Sequence, residues 1–366
     1  MKKIIFGITG LTLGGAERVL VDIANELSQK YDITIFTIYG KGEFEKELNT
    51  NIKLISYTDK SFNELSKLER IKISLKLILN KKSMYERFIN KGYDTEIAFL
   101  EGPITRLFSS KNNRVKKVAW VHNDIGQVFG KSLKAKIKIK LDKKCYSQYN
   151  SVVFVSQDNK VQFEQIYKID SDKSVIPNYI STKRVMEKSE EPFENIFEKN
   201  EINFLTVARL AEQKAIDRLI KVHSKLIEDG YKHRFYVVGD GPEREKLKDL
   251  IKELHVQNTF ILVGKKDNPY PYMKNCDIFA LMSLYEGLPM TVLESKILNK
   301  PILITNTAAR EAVQNYYKSY IAENTEQGVY NGIKDCIKML PEWKNSDKQN
   351  NYESYDIIEK IEKLVG

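Results

Sequence analysis

Two cations stand on one short turn, where a strand-like segment gives way to a helix-like one. Residues 204–208 are apolar except for Thr206, Arg209 follows them directly, and Lys214 opens the next helical segment. A guanidinium can form two parallel hydrogen bonds to a phosphate, whereas an ammonium acts as a compact point charge. The pair is therefore suited to binding a diphosphate. A solvated charged loop with Glu212 as the partner is the simpler alternative.

A second turn combines two glutamates with the start of a helix. Glu286 precedes this helix, and Glu294 lies in its second turn. The free N–H groups of a first helical turn, here those of Met290 and Thr291, attract a phosphate. Glu294 would then accept hydrogen bonds from ribose hydroxyls, and Glu286 would reach the group beyond the phosphates.

Paired glycines, Gly14 and Gly15, precede the first helix and would let backbone N–H groups approach an anion. They do not form the dinucleotide fingerprint, because its third glycine is missing and no acidic residue ends the next strand. A tight turn without a ligand is the alternative. The later turn at residues 239–242, Gly-Asp-Gly-Pro, is predicted to be structural.

His122 stands at the carboxyl end of another strand-like segment, where a side chain can meet a ligand. An imidazole there could hydrogen-bond a hydroxyl or transfer a proton near neutral pH. The other three histidines, His223, His233 and His255, are predicted to lie on the surface.

The elements that must position these turns alternate between strand and helix. Short apolar runs separated by helices predict parallel sheets built from βαβ units. The alternation breaks at residues 181–201, which are charged and poor in strand formers. We therefore predict an α/β protein with two facing, Rossmann-like, doubly wound domains, at 1–180 and 202–345, joined by a linker at 181–201. A C-terminal helix at 350–366 would pack back on the first domain, and ligands would bind in a cleft between the domains.

The composition is that of a soluble globular protein. The chain has 366 residues, of which 42% are hydrophobic and 30% charged, and this balance is typical of about two globular domains. No apolar run approaches the roughly 18–20 residues that span a bilayer. Three widely spaced cysteines predict no disulfide framework and fit the reducing cytoplasm.

The net charge of +10 is concentrated in one stretch. Residues 111–144 contain eleven basic and two acidic residues, a net charge of +9. Within the helix predicted there, Leu133, Ile137, Leu141 and Cys145 recur at every fourth position. Lysines around such an apolar stripe predict a helix that lies on an anionic membrane surface. A packed helix with a solvated basic face is the alternative, and nucleic-acid binding is disfavoured because no known module accompanies the charge.

Taken together, these pieces resemble the retaining glycosyltransferases of family 4, which have the GT-B fold. The resemblance extends over about residues 1–340 and is most specific in the Gly-Asp-Gly-Pro turn and the glutamate pair. Residues 268–272 are similar to members that build bacterial capsule, lipopolysaccharide and other surface glycans. The motifs that match are 14–18, 121–123, 176–178, 208–210 with Lys214, 238–242 and 286–294.

The resemblance implies a role for each candidate residue. The first domain would bind the acceptor and the second the nucleotide sugar, with Arg209 and Lys214 neutralising the departing diphosphate. Glu294 would hold the ribose, and Glu286 would touch the donor sugar. The remaining donor contacts would come from the backbone of Gly287, Leu288 and Met290 around the sugar, His122 on its outer hydroxyl, Gly15 over the phosphates, and Gly264 and Lys265 beside the base.

The chain departs from the family pattern at a few positions. Ala208 and Ala215 stand where the family usually has glycine, and residues 178–181 replace its usual Asn-Gly-Val-Asp. Residues 170–172 match the metal-binding Asp-x-Asp of another glycosyltransferase fold, which we interpret as coincidence. Because side chains supply the positive charge, no metal or other cofactor is expected.

The resulting interpretation is a hexosyltransferase that retains the anomeric configuration of the sugar. It would move a sugar from a nucleotide sugar to a glycan or lipid-linked acceptor in bacterial capsule and surface-polysaccharide synthesis, at the inner face of the cell membrane. The family mechanism has the acceptor attack from the leaving-group side, so no general base is assigned. The alternatives are a nucleotide-sugar epimerase or phosphorylase, a non-catalytic membrane-surface protein and, less favoured, a nicotinamide oxidoreductase.

Overall fold

The computed structural model describes residues 1–110, 112, 114–122, 133–346 and 355–366. They form two compact domains, each built around one parallel β-sheet. The first domain comprises residues 1–179 together with the C-terminal helix, and the second comprises residues 180–353. The predicted α/β class, with two Rossmann-like doubly wound domains, is confirmed.

The sheet of the first domain has seven described strands in the order β3-β2-β1-β4-β5-β6-β7. The strands are β1 (Lys3–Ile8), β2 (Asp32–Tyr39), β3 (Lys53–Thr58), β4 (Thr95–Ala98), β5 (Lys116–Val121), β6 (Ser151–Phe154) and β7 (Asp172–Val175). The helices are α1 (Gly15–Leu27), α2 (Lys67–Leu79), α3 (Lys81–Phe88), α4 (Pro103–Phe108), α5 (Leu133–Tyr146) and α6 (Gln157–Ile166). Central strands such as β1 are almost wholly buried, because helices cover both faces of a parallel sheet.

The sheet of the second domain has six described strands in the order β10-β9-β8-β11-β12-β13. The strands are β8 (Ile202–Val207), β9 (His233–Val238), β10 (Phe260–Gly264), β11 (Ile278–Leu281), β12 (Ile302–Thr305) and β13 (Ser319–Ala322). The helices are α7 (Thr182–Ser189), α8 (Ile216–Glu228), α9 (Arg244–Glu253), α10 (Tyr270–Asn275), α11 (Met290–Ile297) and α12 (Glu326–Lys344).

Each sheet reverses its strand order at one point. In the first domain β1 pairs with both β2 and β4, and in the second β8 pairs with both β9 and β11. The loops that leave neighbouring strands in opposite directions create a crevice at such a point, and ligands of open α/β sheets bind there. The turns after β8 and β11 are therefore adjacent in the second domain.

The segment predicted as a linker, residues 181–201, begins with helix α7 and belongs to the second domain. The hydroxyl of Ser181 caps the helix by accepting a hydrogen bond from the backbone N–H of Arg184, at 3.2 Å. The helix packs against α10, and Asn268 Nδ2 donates to the carbonyl of Lys188 at 2.8 Å. The sequence did not indicate this helix, because the segment is short and charged and few of its side chains are buried.

The C-terminal helix α13 (Tyr355–Val365) packs against α1 within the first domain. Its apolar face, with Ile357, Ile361 and Val365, is buried. Glu362 also forms an ion pair with Lys30 of the loop after α1, at 2.6 Å. The last helix thus completes the first domain although it follows the second in sequence.

Two of the three histidines predicted to lie on the surface are buried, so that prediction is wrong for them. His223 on α8 and His233 at the start of β9 are fully buried, and His223 Nδ1 lies 2.9 Å from His233 Nε2. Thr259 Oγ1 and the carbonyl of Tyr231 complete the hydrogen bonds of the two rings. A buried imidazole is tolerated when its ring nitrogens have hydrogen-bond partners. The third histidine, His255, is exposed, as the sequence predicts.

We expect the buried histidines to make the protein sensitive to mild acid. Burial lowers the pKa of His223 to about 2 and that of His233 to about 4, from an ordinary value near 6.5. Below about pH 6.5 the unfolded chain therefore binds protons that the folded chain does not, and stability falls as the pH falls. Each histidine should cost about 1.4 kcal/mol of unfolding free energy per pH unit in that range.

Denaturant unfolding between pH 7 and 4.5 measures this dependence. His223→Asn should flatten the curve, whereas His255→Asn, at an exposed position, should leave the slope unchanged. Equal slopes for wild type and His223→Asn would contradict the assignment of the acid sensitivity to this pair.

Candidate functional site

The turns after β8 and β11 are tied together by backbone hydrogen bonds. The N–H of Leu284 donates to the carbonyl of Gln213 at 2.8 Å, and Gln213 Nε2 donates to the carbonyl of Tyr285 at 2.8 Å. Each of these bonds joins residues about seventy positions apart in sequence. The two turns that carry Lys214 and Glu286 therefore form one unit at the carboxyl edge of the second sheet.

Lys214 and Glu286 contact each other directly in this unit. Lys214 Nζ lies 2.5 Å from Glu286 Oε1, and the same oxygen accepts a hydrogen bond from Ser283 Oγ at 2.6 Å. Ser283 is held in turn, because Thr305 Oγ1 donates to its carbonyl at 2.6 Å. Lys214 is 19% exposed and Glu286 7%. The ammonium therefore faces outward from a carboxylate that is itself fixed from behind.

Arg209 lies on the same turn as Lys214 but is exposed. Within the described part of the chain, its guanidinium has no hydrogen-bond or ion-pair partner. The side chain is thus available to a ligand, and no intramolecular contact has to be broken first.

The Gly-Asp-Gly-Pro turn after β9 holds the backbone of the Arg209 turn. The N–H of Leu210 donates to the carbonyl of Asp240 at 3.0 Å, and the N–H of Ala208 donates to the carbonyl of Val238 at 3.0 Å. A Cβ atom on Gly239 would lie only 1.9 Å from the carbonyl oxygen of Ala208. Glycine is therefore required at 239 for two backbones to approach, which agrees with the structural role predicted for this turn.

Ala215 explains one departure from the family pattern. It joins the short 3₁₀ turn at Glu212–Lys214 to helix α8 with φ +47° and ψ +41°, in the left-handed region. Glycine adopts this conformation without the penalty that Cβ brings, so the glycine usual in the family has a physical reason here. Alanine, the smallest chiral residue, keeps the same turn.

Helix α11 begins beside Glu286 without a side-chain cap. Its N-cap is Pro289, and its first two residues are Met290, which is buried, and Thr291, which is half-buried. The first N–H groups of a helix lack partners within the helix and carry the positive end of its dipole. Gly287 and Leu288 lead into this start, so the backbone predicted to contact the donor lies in one short segment.

Glu294 is engaged by side chains that the sequence did not single out. It is 5% exposed, and its Oε1 accepts a hydrogen bond from Tyr270 Oη at 2.8 Å. Tyr270 Oη in turn accepts from Arg184 Nη1 at 2.7 Å. Burial, reinforced by the charge of Glu294, raises the pKa of Tyr270 well above its ordinary value, so its hydroxyl remains a donor.

Arg184 and Tyr270 were missed because each is far from Glu294 in sequence. Arg184 lies on α7 and Tyr270 on α10, and only the packing of these helices brings them together. The one available signal was the aromatic segment at 268–272, which drew attention only through its likeness to the family. Ser283, the partner of Glu286, had no signal beyond its place at the end of β11.

Gly264 ends strand β10 at the same carboxyl edge of the sheet, and Lys265 follows it. Gly264 has φ +88°, and its carbonyl accepts a hydrogen bond from the N–H of Gly239 at 2.9 Å. Lys265 is exposed. The two residues thus adjoin the Gly-Asp-Gly-Pro turn after β9, whereas Lys214 and Glu286 lie on the turns after β8 and β11.

His122 belongs to the first domain and follows β5. Its ring stacks near Trp120, with centroids 6.4 Å apart, and makes a hydrogen bond to the backbone of Phe99. Burial lowers the pKa of His122 to about 3, so the ring is neutral at physiological pH. Its Nε2 has no partner among the described residues. A neutral ring favours a hydrogen bond to a hydroxyl over proton transfer. Asn123 and Asp124, the next residues of this motif, lie outside the described residues.

Gly15 is the first residue of α1, also in the first domain. Gly14 precedes it in an extended conformation as an N-cap with no side chain, so the start of α1 has no side-chain cap. A Cβ atom on Gly14 would lie 2.2 Å from a carboxylate oxygen of Glu17. Glycine at 14 leaves room for the Glu17 carboxylate, which folds back over the start of α1 and accepts a hydrogen bond from its own backbone N–H.

Within the described ranges, no cluster of three or more histidine, cysteine, aspartate or glutamate side chains is arranged to hold a metal ion. At the carboxyl edge of its sheet, the second domain has the cations Arg209 and Lys214, the fixed carboxylate of Glu286 and the uncapped start of α11. His122 and Gly15 belong to the first domain.

Two family models match the chain, one on each domain. Residues 13–184 match the model described as Glycosyltransferase Family 4, and residues 187–353 match Glycosyl transferases group 1. A protein of Methanocaldococcus jannaschii named as a glycosyltransferase is 30% identical, over 78% of this chain and 71% of that protein.

Two further proteins resemble the chain over nearly its whole length. The first is the N-acetylgalactosamine-N,N'-diacetylbacillosaminyl-diphospho-undecaprenol 4-alpha-N-acetylgalactosaminyltransferase of Campylobacter jejuni. It is 26% identical over 95% of this chain and 94% of its own. The structure of Anabaena HepE with UDP and glucose superposes with a TM-score of 0.78 at 17% identity, covering 100% of this chain and 99% of that one. The predicted GT-B fold and enzyme class are thereby confirmed, and the chain belongs to the glycosyltransferases of family 4.

Proposed function

We propose that the protein transfers a sugar from a nucleoside diphosphate sugar to a glycan or lipid-linked acceptor in the synthesis of a bacterial surface polysaccharide. One observation carries this proposal: the Lys214–Glu286 pair lies beside the uncapped start of α11, at the point where the second sheet reverses its strand order. A diphosphate there would meet the ammonium and the helix N–H groups together.

Each residue takes a definite part in this proposal. The leaving diphosphate gains negative charge as the bond to the sugar breaks, and Arg209 and Lys214 stabilise that charge. The N–H groups of Met290 and Thr291 bind a phosphate, and Glu286, fixed by Ser283, orients the donor sugar. Glu294 accepts from the ribose, while Gly264 and Lys265 border the base.

The first domain supplies the remaining contacts in this proposal. His122 Nε2, buried and without a partner among the described residues, hydrogen-bonds a hydroxyl of the donor sugar. The N–H groups at Gly15 approach the phosphates. The Campylobacter relative is named for an acceptor on undecaprenol diphosphate, which supports a lipid-linked acceptor for this chain.

Nucleotide binding tests the proposal directly. Thermal unfolding with UDP, GDP or ADP should show one preferred nucleotide, and UDP is favoured because the structural neighbour HepE holds it. A ligand at about 100 times its dissociation constant stabilises the folded state by roughly 2.7 kcal/mol. Incubating the matching nucleotide sugars with a lipid-linked acceptor should then transfer the sugar. Complete conversion to an epimer without acceptor would instead favour an epimerase, and stabilisation by none of the three nucleotides would contradict the proposal.

We expect transfer to persist in excess chelator. The positive charge that a divalent metal would supply comes in this proposal from Arg209 and Lys214. Initial rates measured with and without EDTA should agree within about twofold. Activity that disappears in EDTA and returns with magnesium or manganese would contradict the assignment of charge neutralisation to these side chains.

Tyr270→Phe should weaken donor binding through the ribose. The substitution removes the hydroxyl that donates to Glu294 and should raise the dissociation constant of the nucleotide by roughly fivefold to thirtyfold, as the loss of about 1–2 kcal/mol implies. The loss should be smaller for a dideoxy nucleotide, which lacks both ribose hydroxyls. The matched control is Tyr272→Phe on the same helix, which should bind both nucleotides as wild type does. Equal behaviour of the two variants would remove Tyr270 from the ribose site.

We also propose that the protein attaches peripherally to an anionic membrane surface through the basic stretch at 111–144. Lys140, Lys143 and Lys144 are exposed on α5, and Leu141 of the apolar stripe is 58% exposed. The side chains of Leu133, Ile137, Lys134, Lys136 and Lys138, together with Lys111 and Lys131, lie outside the described residues. In the described ranges, no helix has both the length and the apolarity needed to cross a bilayer.

A further inference from the structure

Helix α2 in the first domain presents apolar side chains on two opposite faces. Ile73 and Leu77 on one face are buried in the domain core. The other face holds five large aliphatic side chains that are between 48% and 76% exposed: Leu68, Ile71, Leu75, Ile78 and Leu79. Burial against the domain accounts for the first face alone.

The five exposed side chains form one continuous stripe, called here the α2 stripe. Leu68, Ile71, Leu75 and Ile78 are three or four residues apart, and Leu79 lies four residues after Leu75, so this spacing places them on one side of the helix. Single exposed aliphatic residues are ordinary on protein surfaces, but contiguous apolar patches mark interaction sites. The stripe runs the full length of α2, 13 residues or about 20 Å.

Exposed lysines border the α2 stripe. At 100° per residue, Lys67 lies on one side of the stripe and Lys72 and Lys76 on the other, while Lys82 follows the end of the helix. The acidic residue of the helix, Glu69, is engaged elsewhere. Its carboxylate pairs with Lys60 at 2.9 Å and accepts from the N–H of Ser66 at 2.8 Å. The border of the stripe is therefore cationic.

The helix that carries the α2 stripe is held in place by contacts within the first domain. Ser66 and Glu69 make a reciprocal capping box at the start of the helix, which satisfies two backbone N–H groups. Ile73 and Leu77 anchor the opposite face in the core. A helix fixed in this way pays no ordering cost on binding, so the exposed stripe acts as a rigid surface.

We propose that the α2 stripe inserts into the surface of an anionic phospholipid bilayer. Aliphatic side chains with no hydrogen-bonding group among them suit acyl chains, and lysines on both borders suit lipid phosphates. Helices α2 and α5, the helix of the basic stretch, both pack against α4 in the first domain. This surface goes beyond the proposed transfer reaction, because it binds the bilayer and not the nucleotide sugar or the acceptor group.

Vesicle sedimentation separates this proposal from its alternatives. Wild type should pellet with vesicles of phosphatidylglycerol and phosphatidylethanolamine, and less with phosphatidylcholine alone. Leu75→Ser with Ile78→Ser should weaken pelleting by roughly 10²-fold, since each buried aliphatic side chain contributes more than a tenfold change in affinity. The matched control, Val161→Ser with Met186→Ser, replaces two other exposed apolar residues and should pellet as wild type.

A tryptophan placed in the stripe reports insertion itself. The two natural tryptophans, Trp120 and Trp343, are buried, so Leu75→Trp would add an exposed one. Its emission should move to shorter wavelength when anionic vesicles are added, and brominated lipids should quench it. A shift that instead grows with protein concentration without lipid would mean that a second copy covers the stripe, and would overturn the proposal.

The remaining outcomes distinguish this surface from the basic stretch and from the enzyme reaction. Replacing Lys134, Lys138 and Lys140 by glutamate tests the basic stretch alone. Wild-type pelleting of the Leu75→Ser, Ile78→Ser variant would overturn the role of α2. Transfer to a soluble acceptor should be unchanged in that variant, because α2 carries none of the proposed nucleotide-binding residues. Sedimentation requires no turnover, so it decides on α2 even if the proposed reaction is wrong.

Discussion

Replacing Lys214 with alanine is expected to lower turnover by about 10²–10³, the loss typical of removing one preorganised transition-state donor. The ammonium lies 2.5 Å from Glu286 Oε1, so its position is set before a donor binds. It would stabilise charge that develops on the diphosphate only as the sugar leaves, so the change should appear in kcat more than in the KM for the donor. Arg209→Ala should reduce turnover to a similar degree.

The two variants should differ in stability, which helps to separate fold from function. Arg209 is exposed and has no partner among the described residues, so its loss should leave the melting temperature unchanged. Lys214→Ala removes an ion pair with a buried carboxylate and should lower the melting temperature slightly. Lys248→Ala, which removes an exposed ion pair with Glu245, serves as the control with full activity. Turnover near that of wild type in both Arg209→Ala and Lys214→Ala would exclude this pair from the mechanism.

Replacing Gly239 with alanine is expected to destabilise the second domain by about 3 kcal/mol or more. The added Cβ would lie 1.9 Å from the carbonyl oxygen of Ala208, and both atoms are fixed to backbone. Either β9 or the turn that carries Arg209 must move. Turnover should therefore fall in the fraction that still folds, because the Arg209 turn is displaced.

The matched control is Gly230→Ala in the same domain. Gly230 also has a positive φ, +86°, but a Cβ atom there would meet nothing within 4 Å. Its substitution should cost only the conformational penalty, roughly 1–2 kcal/mol. Denaturant unfolding followed by Trp343 fluorescence, with Trp120 replaced by phenylalanine, reports on the second domain. Equal losses for the two alanine variants would mean that the contact between Gly239 and Ala208 is not limiting.

Local sequence was a good guide to strands and to the chemistry at their ends. The short apolar runs between helical segments predicted parallel sheets, and each domain contains one. Apolar runs of this length between helical segments have few alternatives, because a parallel sheet buries both of its faces. Since ligands of such sheets bind at strand carboxyl ends, Arg209, Lys214, Glu286 and Glu294 could be selected by type and place alone.

Partners far apart in sequence could not be selected in this way. Tyr270 reaches Glu294 from 24 residues away, and Arg184 reaches Tyr270 from 86 residues away. Nothing local distinguishes them from other tyrosines and arginines of short helices. The same limit explains the error on His223 and His233, whose burial depends on each ring pairing with the other.

The fold class of the chain and the contacts within its folded structure thus have different origins. The sequence by itself determined the α/β class, the two sheets and the residues suited to a diphosphate, because periodicity and side-chain chemistry are local. Only the tertiary structure decided which groups meet and which faces stay open. Helix α2 shows this difference, because its aliphatic residues are alike in type, yet the core covers Ile73 and Leu77 and leaves Leu75 and Ile78 exposed. Which face of such a helix is covered depends on packing against distant segments, and that packing is a property of the folded chain as a whole.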